Sequence, residues 1–237
     1  IEHLGGKLGD YSIVNPNNDA NFGQSTNDTY PTAIHLSCIL RSNVLIKAAE
    51  ELRDALYAKA KEFDQTLKMG CTHLQDAVPM TLGQEFHGWG FTINDEIENL
   101  RAAQEHLKIV NLGATAIGTT VTAAPGYPEL AVKNLAELTG IDFKNSEDLI
   151  AATSDCGAYM TLSSAIKGLA VKMTKVCNDI RLLASGPRCG LKEINLPQLQ
   201  PGSSIMPGKV NPVIPEVMSQ VAFNIIGNDM SITMAAE

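Results

Sequence analysis

Apolar side chains recur along this chain at helical rather than strand spacing, and three segments hold that spacing for about thirty residues each. The clearest is SDCGAYMTLSSAIKGLAVKMTKVCNDIRLLASG, where Leu162, Ile166, Leu169, Met173, Val176, Ile180 and Leu183 fall at alternating steps of four and three. Such a repeat of about 3.5 residues predicts a helix that packs along its length against near-parallel neighbours, as in a coiled-coil-like bundle. Gly186 and Pro187 stop it. A second helix is predicted from about Pro31 to Phe63, with Pro31 in its first turn and Asp28 or Thr29 as its cap. A third runs from about Thr81 to Val110 and meets a stop at Asn111 and Gly113. A shorter helix covers about Pro128 to Thr139, ending at Gly140, and a last one starts near Asn211 or Pro215.

Helices of about thirty residues are about 45 Å long at a rise of about 1.5 Å per residue, and a long bundle is how such helices bury their apolar stripes. The predicted fold class is therefore all-α. No strong two-residue alternation competes with it; only residues 141–143 (IDF) and the surroundings of Cys189 suggest short extended pieces. Internal repeats, low-complexity tracts and a clear domain boundary are lacking. IEHLGG at the start reads as a helix tail stopped by glycines, and SITMAAE at the end lies in a helical pattern, so the chain is expected to be part of a longer protein.

With 237 residues, 44% of them hydrophobic, the chain can bury a substantial core. Its formal net charge of −8 argues against the broad basic surface that nucleic-acid binding requires, while leaving room for a small anionic ligand held by a few local cations. Cys38, Cys71, Cys156, Cys177 and Cys189 are scattered and odd in number, which fits a reducing cytoplasm better than a disulfide framework. No apolar run reaches membrane-spanning length, and the first residues do not form a signal peptide.

Three polar stretches interrupt the helices. NFGQSTNDTYPTA sets Ser25, Thr26, Asn27 and Asp28 before a helix start, which suits ordinary N-cap chemistry and equally a site for a carboxylate at a helix N-terminus. KMGCTHLQDAVPMTLGQEF holds Thr72 and His73, the histidine being either a structural residue or part of a site. GSSIMPGKVNP, residues 202–212, reads as a surface turn from its glycines, prolines and serines. Yet Ile205 and Met206 are apolar and Lys209 follows Gly208, so the same stretch suits a glycine-hinged lid that excludes water and brings a cation beneath it.

GSSIMPGKVNP resembles the signature loop of the aspartase/fumarase superfamily, and QSTNDTYPTA and THLQDAVPMTLGQE resemble its other two signature regions in the same order. The similarity runs through essentially the whole chain. SEDLIAATSDCGAY and NLGATAIGT are more similar to aspartate ammonia-lyases than to class II fumarases, whereas AVPMTLGQEF is shared by both. This resemblance implies that residues 1–237 form the central helical bundle domain of a homotetramer with a twenty-helix core, its active sites assembled from motifs of three subunits. It implies conversion of L-aspartate to fumarate and ammonia without a cofactor. The alternatives are a class II fumarase acting on L-malate and a non-catalytic helical scaffold of the same descent.

By the same resemblance Ser203 is the general base that removes the Cβ proton, as an alkoxide stabilised by neighbouring donors and cations, and an aci-carboxylate intermediate follows. Lys209 and Asn211 would hold one substrate carboxylate with help from Thr72, and Ser25, Thr26 and Asn27 the other carboxylate and the amino group. Ser204 belongs to the same substrate-binding set, and Met206 is placed either in the lid or in a core contact. His73 would bind or orient the substrate, paired with Glu216, which would fix its tautomer and raise its pKa. Two positions depart from the family's pattern: Cys71 stands where many relatives have Arg, and residues 118–122 read GTTVT in place of GTGLN. The family's N-terminal threonine motif would lie before Ile1 and the rest of its bundle after Glu237, so these residues alone are expected to lack full activity.

Overall fold

The computed structural model describes residues 1–237. Its elements are α1 (Thr26–Glu62), β1 (Leu67–Thr72), β2 (Gln75–Thr81), α2 (Leu82–Leu107), β3 (Ile109–Val110), α3 (Tyr127–Thr139), β4 (Lys144–Asn145), α4 (Leu149–Ser154), α5 (Gly157–Leu183) and α6 (Val213–Ala235). The protein is all-α, with two short two-stranded sheets. It divides into two compact units, one made of Ile1–Ser42 and Gln104–Ala158, the other of Asn43–Ala103 and Tyr159–Glu237.

The second unit is the bundle. Arg53 Nη1 donates to Asn94 Oδ1 at 3.1 Å and Arg101 pairs with Glu50, so α1 and α2 run antiparallel. Small residues let them approach closely: a Cβ on Gly83 would stand 2.4 Å from the Ala60 carbonyl oxygen, and one on Gly90 2.6 Å from the Tyr57 ring. α5 returns antiparallel to α2, with Trp89 Nε1 donating to Asp179 at 3.2 Å and Gly168 lying under the Glu96 carboxylate. Ser163 Oγ donates to buried Asp229 of α6 at 2.6 Å and Lys167 pairs with the same carboxylate, which together hold its pKa below the ordinary value. Ile93, Ile97 and Leu100 of α2 are fully buried, each contributing about 1.5–3 kcal/mol through burial.

The heptad spacing of α5 is realised in its burial. Leu162, Leu169, Val176 and Leu183 are buried, together with their neighbours Ser163, Ala170 and Cys177. The alternate positions Ile166, Met173 and Ile180 are only half-buried, and two of them open onto an apolar crevice of about 230 Å³ lined also by Leu45, Leu52, Met218 and Ile225. α6 exposes Val217, Val221, Phe223, Met230 and Met234.

In the first unit, Gln104 Nε2 donates to Ser42 Oγ at 2.7 Å, and His35 Nδ1 lies 2.9 Å from the Leu107 carbonyl oxygen. Beyond α2 the chain forms a parallel bridge between β3 and β4, with Ile109 opposite Lys144. The extended pair expected at residues 141–143 falls just beyond them, at Lys144–Asn145, whereas the segment around Cys189 forms bends without strand pairing.

Several boundaries differ from the sequence reading. α1 begins at Thr26 rather than Pro31, and its cap is Ser25 rather than Asp28 or Thr29. Pro31 has no N–H to offer the Asn27 carbonyl, and Asn111 Nδ2, from the loop just after β3, donates to that oxygen at 2.9 Å instead. α2 stops at Leu107 because the chain turns into β3. The opening residues do close on a glycine: Glu2–Leu4 is a single 3-10 turn, with Gly5 at φ 81°. The β1–β2 hairpin was absent from the sequence reading altogether, since Gly70 and Pro79 interrupt any alternation.

Candidate functional site

At the first motif, the N-terminus of α1 is held from both sides. Ser25 Oγ accepts the Asn27 N–H at 3.1 Å, and Asp28 Oδ1 accepts the Ser25 N–H at 3.1 Å, the reciprocal arrangement of a capping box with aspartate at its third helical position. Asp28 is 0% exposed, and its second oxygen accepts the N–H groups of Gly113 at 3.1 Å and Thr115 at 2.9 Å. The Asn27 side chain is fixed as well, Nδ2 donating to the Ala116 carbonyl at 2.7 Å. That bond uses the Asn27 amide as donor, and the residue is exposed. Thr26 is exposed at the positive end of a 37-residue helix, the position where backbone N–H groups and hydroxyls meet an anion.

The second motif is the tip of the β1–β2 hairpin. Thr72 pairs with Gln75, and the two residues between them, His73 (φ 54°) and Leu74 (φ 62°), both adopt left-handed backbone. A two-residue turn of this hand matches the twist of the strands, but neither side chain is the Asn or Gly that usually announces it. This is local strain that only the paired strands sustain, and such strain is concentrated at functional positions. His73 lines a cavity of about 550 Å³ with Lys68, Cys71, Glu85, Asp179 and Glu193. Lys68 bridges Glu85 and Glu193, the latter at 2.7 Å; burial alone would lower its pKa, but the two carboxylates outweigh that and raise it.

The third motif, residues 202–212, is a loop of two successive turns. The Met206 N–H donates to the Ser203 carbonyl at 3.0 Å, the Lys209 N–H to the Met206 carbonyl at 3.3 Å, and Gly208 takes φ 80°. A Cβ on Gly202 would sit 3.4 Å from the Lys209 carbonyl oxygen, so the two ends of the loop lie against each other. Ser203 Oγ accepts the Ile205 N–H at 3.3 Å. Ser203, Ser204 and Ile205 are exposed, Ile205 by 83%. Met206, Lys209 and Asn211 line a second cavity of about 550 Å³ together with Lys192 and Asn195.

Thr72 and His73 therefore occupy one feature of the bundle unit and the 203–211 set another. Glu216 lies in the first turn of α6, half-buried, and makes no hydrogen bond or ion pair with His73 within the chain. Two residues escaped the sequence reading. Lys192, at φ 52°, shares the cavity of Lys209, and nothing in its local pattern signals this. Asp28 appeared only as a candidate cap, although an acidic side chain followed three residues later by an in-helix proline hinted at a further task. No group of three or more His, Cys, Asp or Glu side chains converges as a metal site, and no helix is long and apolar enough to cross a membrane.

Comparison with known proteins places this architecture. The chain is 56% identical to aspartate ammonia-lyase of Pseudomonas aeruginosa, over all of this chain and 50% of that protein. It is 55% identical to the aspartate ammonia-lyase of Escherichia coli K12, over the same shares of the two chains. Among solved structures, a fumarate lyase:delta crystallin from Brucella melitensis bound to cobalt superposes with a TM-score of 0.94 at 50% identity, covering 99% of this chain and 51% of that one. A class II fumarase from Schistosoma mansoni gives 0.88 at 35% identity, covering 93% and 50%. The chain thus spans about half the length of the curated relatives it matches. The family model described as Lyase matches residues 1–227. On that match, and with relatives more than half identical along the whole chain, the chain belongs to the lyase family, within the aspartase/fumarase superfamily.

Proposed function

We propose that the protein containing this chain is an aspartate ammonia-lyase, releasing ammonia from L-aspartate to form fumarate. The observation that carries the reading is 56% identity to such an enzyme along the whole chain, with all three polar loops intact. Ser203 Oγ takes the Cβ proton, and the Ile205 N–H at 3.3 Å is a donor suited to the alkoxide this requires. Charge then accumulates on the neighbouring carboxylate as an aci-carboxylate, so the site must set cations and donors around it. Lys209, Asn211 and Thr72 serve one substrate carboxylate, with Ser204 and Met206 beside them in the closing loop. Ser25 and Thr26 serve the other at the α1 N-terminus. Asn27, whose Nδ2 is committed to Ala116, presents the acceptor that a substrate ammonium needs. His73 orients the substrate, and Glu216 reaches it from another subunit.

The site is assembled between copies of the chain in a homotetramer working in the cytoplasm. Two observations support the assembly: the half-buried second stripe of α5 with its open apolar crevice, and the row of exposed apolar side chains along α6. The test uses the full-length protein. Fumarate absorbance should grow with L-aspartate and not with L-malate; growth with L-malate alone makes it a fumarase, and growth with neither in an intact oligomer favours a scaffold. Ser203→Ala should lower turnover by about 10²–10⁴-fold with assembly unchanged. Near-normal turnover in that variant refutes the base assignment.

A further inference from the structure

We infer that Asp28 is a positioning residue for the substrate-binding end of α1, an inference that rests on the proposed role of Ser25, Thr26 and Asn27. Its carboxylate is 0% exposed and cannot meet substrate directly. Instead it joins two segments far apart in sequence. One oxygen takes the Ser25 N–H and the other the N–H groups of Gly113 and Thr115, which lie 85 and 87 residues further on.

The turn it holds would not form readily by itself. Gly113 has φ 88° and Thr115 φ 61°, a left-handed pair whose N–H groups converge on one point in the manner of a backbone anion nest. For threonine this conformation is strained, and the Thr115 hydroxyl is buried without a hydrogen-bond partner, so the residue's own side chain does nothing to stabilise it. Gly113 is further wedged against α3, where a Cβ would come within 2.6 Å of Pro128 Cα. Asp28 is thus the internal anion that fills the nest. The filled nest fixes Ala116, whose carbonyl orients the Asn27 amide, and Asn111, from the same loop, secures the Asn27 carbonyl. Asp28 also takes the Ser25 N–H, which together with the Asn27 N–H on Ser25 Oγ closes the capping box at the start of α1.

Charge and geometry make opposite predictions for Asp28→Asn in the full-length enzyme. If Asp28 acted only through its charge, removing a negative group near an anion site would tighten substrate binding and lower KM. If it acts by position, an amide NH₂ now opposes backbone N–H groups, the nest opens, and KM for L-aspartate rises. We expect a rise of about tenfold or more with kcat within about threefold of wild type, the split of a lost binding contribution rather than lost chemistry. Thr26→Val is measured alongside. A raised KM in Thr26→Val with an unchanged or lowered KM in Asp28→Asn overturns the positioning role alone. An unchanged KM in both overturns the binding role of the α1 end on which it rests. Should Asp28→Asn not assemble, hydrogen exchange of the wild-type enzyme decides: saturating fumarate should slow exchange at the Gly113 and Thr115 amides, since binding and the nest are linked, and unchanged exchange there overturns the inference.

Discussion

Gly118→Ala separates packing from backbone conformation in the loop that leads from β3 towards α3. Gly118 has φ 94°, and a Cβ there would lie 2.4 Å from Ile150 Cα and 2.5 Å from both the Ile150 nitrogen and the Leu149 carbonyl oxygen. All three are backbone atoms at the start of α4, whose first turn is already fixed by Asp148 Oδ1 accepting the Ile150 and Ala151 N–H groups at 2.9 and 3.0 Å. None can rotate out of the way. Left-handed backbone costs a residue with a side chain about 1–2 kcal/mol, and forced overpacking adds about 1–3 kcal/mol, so Gly118→Ala should cost about 2–5 kcal/mol. Gly126 is the control: its φ is 77°, and a Cβ would meet nothing within 4 Å. Gly126→Ala should therefore cost only the conformational part, about 1–2 kcal/mol. Urea unfolding of the full-length protein at one fixed protein concentration measures both. Equal destabilisation of the two variants would refute the claim that α4 is seated directly on the Gly118 backbone.

Two further outcomes follow from buried groups. Burial lowers the pKa of His35 in spite of the Leu107 and Ile109 carbonyl contacts that favour its charged form. The unfolded chain then binds the proton more readily than the folded one, and stability falls as pH drops below about 6.5; His35→Gln should flatten that decline between pH 8 and 5, and an identical slope in the variant contradicts it. Cys177 is buried and its pKa is raised by burial, so mass spectrometry after maleimide treatment should find it unlabelled until the protein unfolds, while exposed Cys71 reacts; equal labelling rates would show that the α5 stripe is not closed.

The long helices were legible because a helix buried on one stripe must repeat its apolar residues every three or four positions, and Leu162, Ile166, Leu169, Met173, Val176, Ile180 and Leu183 do so without interruption. The composition of residues 202–212 likewise announced a loop, and the superposition on a fumarate lyase at a TM-score of 0.94 agrees with the bundle expected from those patterns. The β1–β2 hairpin was not legible, because Gly70, Pro79 and the His73–Leu74 turn follow no strand or turn rule, and β1 is anchored through Lys68 to the remote Glu85 and Glu193.

By itself the sequence determined which residues can be helical, which stripe of each helix is apolar, and where polar loops interrupt the helices, since all of these depend on neighbours within about two turns. Tertiary structure alone decided where α1 begins, which hand the His73 turn takes and what Asp28 does. Each of those outcomes depends on hydrogen-bond partners supplied from remote segments, such as Asn111 for the Asn27 carbonyl and Gly113 and Thr115 for Asp28. Buried polar groups must be satisfied wherever the partner lies in the chain, and a local pattern holds no record of partners 84 to 87 residues away.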